Sequence, residues 1–248
     1  MKFMVFGLFS KERALQRTIE KATNKLAQQP DRWGALEKLR EESTDDSLFG
    51  LCKRWSVTSL KGVEDEQEKA WVVDVLIEKG AAALAPLVRY MKSAEQLSYA
   101  LRVLDKIADH DKQLAVVDEL LATEPPGYVR MPDRRIDLIK WFGEHKDMSD
   151  DDVIPRLVPY LGDFDENSRF GAIEGLAIHD PTRIVNPLID ALIRPEEESG
   201  RIRRTIVEAL ERTKAPLGER ASQVANMLSG PLAADFKVEA GVVKKTKK

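Results

Sequence analysis

Arg169-Phe170-Gly171-Ala172-Ile173-Glu174-Gly175-Leu176 has a counterpart 34 residues earlier, beginning at Arg135, and another 34 residues later, beginning at Arg203. Across the three copies Leu138, Ala172 and Ile206 coincide, as do Ile139, Ile173 and Val207, and then Phe142, Leu176 and Leu210. A basic residue therefore opens each copy, and positions three, four and seven beyond it stay apolar. That spacing puts three apolar side chains on one face of a helix. A fourth copy lies upstream, where Arg32-Trp33-Gly34-Ala35-Leu36-Glu37-Lys38-Leu39 aligns with Arg169–Leu176 at an offset of 137, or four periods of just over 34. A helical unit repeated at this period cannot bury its apolar face alone and must stack on its neighbours, so the fold is expected to be an all-α solenoid.

The elements between these copies fit helical hairpins. The pattern predicts a helix from about Ser10, a good N-cap, to Gln29, closed by Pro30, and a second from Asp31 to Glu42. Leu48 to Trp55, Glu64 to Lys79 and Ala81 to Lys92 follow, then Ser93 to Ala108 and Asp111 to Ala122. From Ser149 the pairs are regular: Ser149–Leu161 with Asn167–Ile178, then Pro181–Arg194 with Ser199–Thr213. Pro86, Pro155 and Pro187 take the same place in three first helices, where an interior proline bends the helix and removes a hydrogen bond. The loop Glu124–Met131 is expected to protrude, Leu217–Leu228 to cap the last pair, and residues 230–248 to be a loose basic tail.

Composition narrows the function. Charged residues are 33% and hydrophobic ones 43%, enough for a continuous core under a well-solvated surface. The formal charge is −3, with six Lys or Arg against two Glu in residues 1–30 and five Lys against two acids in residues 231–248. The middle is therefore acidic by about −10, which disfavours a generic nucleic-acid binder. One cysteine, Cys52, excludes an internal disulfide framework and fits a cytoplasmic chain; it sits in the apolar run Leu48–Cys52, where burial outweighs reactivity. The apolar opening Phe3–Phe9 is too short to span a membrane and lacks the small-residue cleavage site of a secretory signal. Beside the basic first helix it could still rest on a lipid surface, the one route to membrane contact that the sequence offers.

Taken as one unit, residues 151–178 resemble a HEAT repeat: Pro155 inside the first helix, Asp163 in the turn, and Arg169-Phe170-Gly171-Ala172 opening the second helix. The resemblance covers residues 11–229 in six pairs as a single domain, and departs near Ser93, where Leu97 stands at the arginine position. It implies a right-handed α-solenoid that serves protein-protein recognition, although some members of the family are enzymes.

Three enzymatic readings bear on these residues. His110, His145 and His179 recur at spacings of 35 and 34. Neighbouring helices lie ~8–10 Å apart, too far for imidazoles one repeat apart to share a metal, so a helix-end role beside the C-terminal dipole is expected. The iron-binding hydroxylases of this family use His-Glu pairs, and the sequence has none. Cys52 has no histidine near it in sequence to activate it. An alkylpurine glycosylase of HEAT type would present aromatics and a carboxylate on a basic face; Trp33, Trp55, Trp71 and Trp141 offer aromatics, but the middle of the chain is acidic. No catalytic, cofactor or metal residue is therefore assigned. The recurring basic position, Arg32, Lys69, Arg135, Arg169 and Arg203, is read as a structural ladder to aspartates such as Asp133, Asp163 and Asp165 rather than as a phosphate track.

What remains is a binding face. With the basic position as zero, offsets two, five and nine point away from the core. They select Gly34, Glu37 and Glu41; Trp71, Asp74 and Glu78; Tyr99, Arg102 and Lys106; Asp137, Lys140 and Glu144; Gly171, Glu174 and Ile178; Thr205, Glu208 and Arg212. In HEAT-like solenoids second helices line the concave side. Carboxylates outnumber cations on this row, and Trp71 and Tyr99 occupy one offset in neighbouring repeats. The expected partner is a protein with a basic or amphipathic segment, held by Glu37, Asp74, Glu174 and Glu208 and anchored on Trp71 and Tyr99.

Overall fold

Short polar caps set where six of the helices begin. In a computed structural model, which describes residues 3–246 with side chains from Lys11 onward, Thr44 and Ser47 form a reciprocal capping box. The side chains of Asp109, Ser149, Asp165, Asp180 and Ser199 each accept a hydrogen bond from a first-turn amide. The chain is mostly helical and divides into two compact units, Met1–Thr123 and Glu124–Lys248. The division falls at Glu124-Pro125-Pro126-Gly127, where two prolines withhold backbone donors and no helix can run through.

The first unit contains α1 (Phe3–Ala22), α2 (Gln29–Glu42), α3 (Asp45–Cys52), α4 (Gly62–Lys79), α5 (Leu84–Met91), α6 (Ser98–Ile107) and α7 (His110–Leu121). Helix α1 thus runs through Ser10, and the apolar side chains of residues 3–9 lie outside the described residues. Pro30 sits in the first turn of α2, where its missing N–H costs nothing. Residues 92–97 form a turn, so α6 starts five residues later than expected and Leu97 is its N-cap. That boundary explains why the arginine position is lost there.

The second unit contains α8 (Asp133–Glu144), α9 (Asp150–Leu157), α10 (Glu166–Leu176), α11 (Pro181–Ile193), α12 (Gly200–Thr213), α13 (Ala221–Met227) and α14 (Pro231–Asp235). Pro155 and Pro187 lie inside α9 and α11, and α9 passes into a 3₁₀ turn, Val158–Gly162, three residues after its proline. Helix α10 packs between α8 and α12, burying Ala172, Ile173 and Leu176, while Leu138, Ile139, Phe142, Ile206, Val207 and Leu210 are equally inaccessible. The helix phase of these three copies is the expected one.

The segment expected to be loose is folded. Strands β1 (Phe236–Glu239) and β2 (Val242–Lys245) pair antiparallel through Ala240 and Gly241, both at positive φ, a two-residue turn whose twist suits a hairpin. Phe236 and Val243 are buried, β2 lies against α12, and the Leu217 amide donates to Gly241 O at 2.9 Å. The hairpin and α13 together close this end of the second unit.

The basic ladder is structural, as expected, but at Arg32, Arg135 and Arg169 its acid comes from the following repeat, while Lys69 pairs with Asp65 on its own helix. Arg135 reaches Asp163 at 2.7 Å and Arg169 reaches Glu197 at 2.8 Å, both 28 residues on. Arg203 has no such acid, because residue 231 is proline, and its Nε is buried without a hydrogen-bond partner.

Candidate functional site: the second-helix faces

In the first unit the face is aromatic above and ionic below. Trp33 on α2 lies 5.2 Å from Trp71 on α4, ring centroid to centroid, and donates from Nε1 to Glu37 at 3.2 Å; Arg40 stands 5.9 Å from the Trp71 ring. Tyr99 on α6 lies nearly parallel to Trp55 at 6.0 Å, and its hydroxyl donates to both carboxylate oxygens of Glu66 at 2.8 and 2.9 Å. Burial, and then the Glu66 carboxylate, push this phenol up to about 12. Trp71 and Tyr99 are thus half-buried, and each packs on a different aromatic neighbour. Glu37 and Asp74 are exposed, as expected.

Beneath this face lies a buried charge network. Glu68 accepts from Arg32 (Nη2 at 2.8 Å) and from Arg54 (Nε at 2.7 Å), and Asp65 accepts from Arg54, from Lys69 and from the Ser59 amide at 2.5, 2.7 and 2.8 Å. Burial alone would raise the Asp65 carboxyl, but Lys69, the Ser59 amide and Arg54 outweigh it and bring it down from 3.8 to about 2. A carboxyl that is more acidic folded than unfolded contributes stability above its unfolded pKa and loses it as pH falls through the folded one. Acid titration is therefore expected to weaken the first unit between about pH 4 and pH 2, and Asp65→Asn to flatten that limb of a stability-against-pH curve.

In the second unit the same face is a groove. Its lining on α8 is Ile136, Lys140, Gly143 and Glu144, and on α10 it is Phe170, Gly171, Glu174, Gly175 and, just beyond the helix end, Ile178. The cavity measures about 710 Å³. Glycine makes its floor: a Cβ on Gly143 would meet Gly175 Cα at 3.2 Å, and one on Gly175 would meet Leu157 Cδ1 at 2.6 Å. The two helices can approach this closely only without side chains at the crossing. Glu174 pairs with Arg212 at 3.1 Å and Lys140 with Glu144 at 3.4 Å, so the walls carry near-neutral ion pairs around an apolar strip. Glu208 is exposed and pairs with Arg204 at 3.3 Å, while Thr205, expected on the open face, is buried with its hydroxyl donating to Arg201 O.

The chain matches no family model, no curated protein and no solved structure. What these faces can do follows from their own chemistry.

The histidines have three separate roles. His145 ends α8 with Nδ1 at 2.7 Å from Trp141 O, the expected helix-end position. His110 instead opens α7, because α6 stops at Ile107. His179 is buried with Nδ1 2.8 Å from Asp150. Among the described residues no group of three or more His, Cys, Asp or Glu is placed to hold a metal ion. Cys52 is fully buried, and burial raises its thiol well above the ordinary range. Trp55 and Trp141 are core residues, so the four tryptophans do not gather on one face. No helix among the described residues is long and apolar enough to cross a membrane.

Proposed function

We propose that the chain is a non-catalytic protein-protein interaction scaffold, a HEAT-like α-solenoid of about six helical pairs whose second helices receive the partner, with the α8–α10 groove as the seat. The observation that carries this reading is the apolar stripe on the solvent side of α10. Phe170, Gly171 and, just past the helix end, Ile178 lie open opposite the core stripe of Ala172, Ile173 and Leu176, with buried Gly175 beneath them, so this helix is apolar on two sides. Glycine inside a helix costs ~1 kcal/mol relative to alanine, and α10 carries two. Their return is a trough with a backbone floor. It runs the 11 residues of α10, about 16 Å at ~1.5 Å per residue. An apolar trough between neutralised ion pairs suits the apolar face of an amphipathic partner helix.

A photo-crosslinking residue placed at Ile178 in cells tests this. A discrete protein adduct is expected, and Phe170→Ala should cut its yield at least about tenfold, the factor that ~1.4 kcal/mol at one anchor produces. Adducts at position 178 that match those from exposed Glu119 on the first unit, or that contain only nucleic acid, would refute the scaffold reading.

A further inference from the structure

Among the residues whose side chains are described, the exposed large apolar ones are not scattered. Leu26, Leu60, Val63, Tyr128, Met131 and Phe164 all sit in or beside turns that lead into a second helix; Ile178, in the groove, is the exception. In the second unit two of them touch. The rings of Tyr128 and Phe164 meet edge to face with centroids 5.2 Å apart, although the residues are 73% and 68% exposed.

The backbone that carries this pair is held firmly. Asp163, itself buried, accepts from Arg135 at 2.7 Å, from the Gly127 amide at 3.3 Å and from the Asp165 amide at 2.7 Å. Arg135, also buried, donates to Gly127 O at 2.8 Å. One buried ion pair therefore clips the Tyr128 loop to the Phe164 turn. The loop is fixed again at its start, where Tyr160 donates to Glu124 O at 2.9 Å and Arg134 pairs with the Glu124 carboxylate at 3.0 Å. Two aromatic rings that contribute nothing to the core are thus presented to solvent on a preorganised support, the arrangement that lowers the entropy cost of binding. Single exposed apolar residues need no explanation, but a pinned, contiguous pair does.

The surroundings of the pair specify its ligand. Phe164 also lines a cleft of about 720 Å³ with Glu166, Glu196 and Glu198 at its rim and Arg169 and Arg194 at its base. The two arginines are occupied: both reach the buried Glu197, Arg169 also donates to Asp163 O and Phe164 O, and Arg194 to Leu161 O. Glu166 is engaged by Arg201 at 3.1 Å. Glu196 and Glu198 are exposed. Aromatic faces beside exposed carboxylates favour a cation that can lie over the rings while its charge meets the acids.

We infer that the Tyr128–Phe164 pair and the adjoining Glu196/Glu198 cleft form a docking site for a basic peptide segment, in which an arginine or lysine packs on the rings and pairs with the two glutamates. This shares with the proposed function only the premise that the chain binds protein segments, and it concerns a different surface from the groove.

The test uses the full-length protein and two fluorescein-labelled probes, the pentapeptide Arg-Leu-Arg-Leu-Arg and its acidic counterpart Glu-Leu-Glu-Leu-Glu, read by anisotropy. The basic probe should bind and the acidic one should not. Phe164→Ala, Tyr128→Ala and Glu196→Gln/Glu198→Gln should each weaken binding by about tenfold, whereas Glu95→Gln/Asp111→Asn, which removes the same charge from exposed positions of the first unit, should change it less than twofold. Phe170→Ala should also leave it unchanged, which separates this site from the groove. An equal loss from both double charge variants would mean non-specific attraction and overturn the proposal, as would binding that survives both ring deletions. Sedimentation adds a further outcome: a wild-type dimer that Phe164→Ala converts to a monomer would assign the patch to a second copy of this chain and overturn the basic-peptide assignment.

Discussion

Glu68→Ala is expected to destabilise the first unit by about 3–5 kcal/mol, the range seen when one partner of a buried ion pair is removed. Glu68 is fully buried and is the one acid that both Arg32 and Arg54 contact, Arg32 through Nε and Nη2 and Arg54 through Nε. Without it Arg54 keeps Asp65 and Val57 O, but Arg32 is left with Ala27 O and with Glu64 at 3.7 Å. Two buried guanidiniums then share too little negative charge, and their desolvation is no longer offset. Asp46→Ala breaks an ion pair of similar length, Arg89 to Asp46 at 2.8 Å, but both partners are largely solvent-exposed, so a cost within ~1 kcal/mol is expected. Urea denaturation gives the two values, and hydrogen exchange should place the Glu68→Ala loss in α2 and α4. Comparable losses for the two variants would mean that water reaches the network. Replacing Arg32, Arg54 and Glu68 together by methionine should cost less than Glu68→Ala alone, since no orphaned charge remains among the three.

That network shows where sequence reading stops. Arg54, Asp65 and Glu68 follow no period, and a Glu-Lys pair such as Glu68-Lys69 inside a charged helix reads as a solvated face. Only the packing of α2 and α4 against the chain after α3 makes them interior. By contrast, the phase of α8, α10 and α12 was legible because three aligned copies constrain it, and Lys140, Glu144, Glu174, Ile178, Glu208 and Arg212 stand on the open side as the offsets require. The ladder was legible as structure but not in its pairing, since Arg135 and Arg169 reach forward 28 residues to Asp163 and Glu197. Trp71 and Tyr99 are half-buried, and helix phase says nothing about the lateral neighbours Trp33 and Trp55 that pack against them. The hairpin left a faint trace in the alternation Phe236-Lys237-Val238-Glu239, but its turn is Ala240-Gly241 rather than the stronger Asn-Gly signal. Prolines and glycine mark Glu124–Met131 as a loop in the sequence, but what pins it is not legible there, because the clip depends on Arg135 meeting Asp163.

Leu176→Ala should cost the second unit about 2–5 kcal/mol, while Glu174→Ala, two residues away on the same helix, should stay within ~0.5 kcal/mol. Leu176 is wholly inaccessible, and its truncation leaves a cavity that α9 and α10 can only partly fill. Glu174 faces the groove, and its ion pair with Arg212 is partly exposed, so solvent screens it. The contrast separates fold from binding on one helix. The leucine variant should lose stability and, through it, every activity, whereas the glutamate variant should melt like the wild type and alter only what enters the groove. Equal melting shifts would mean that α10 is rotated from its described phase. Since the groove and its glycine floor depend on that phase, the crosslinking result at Ile178 would then have to fail too.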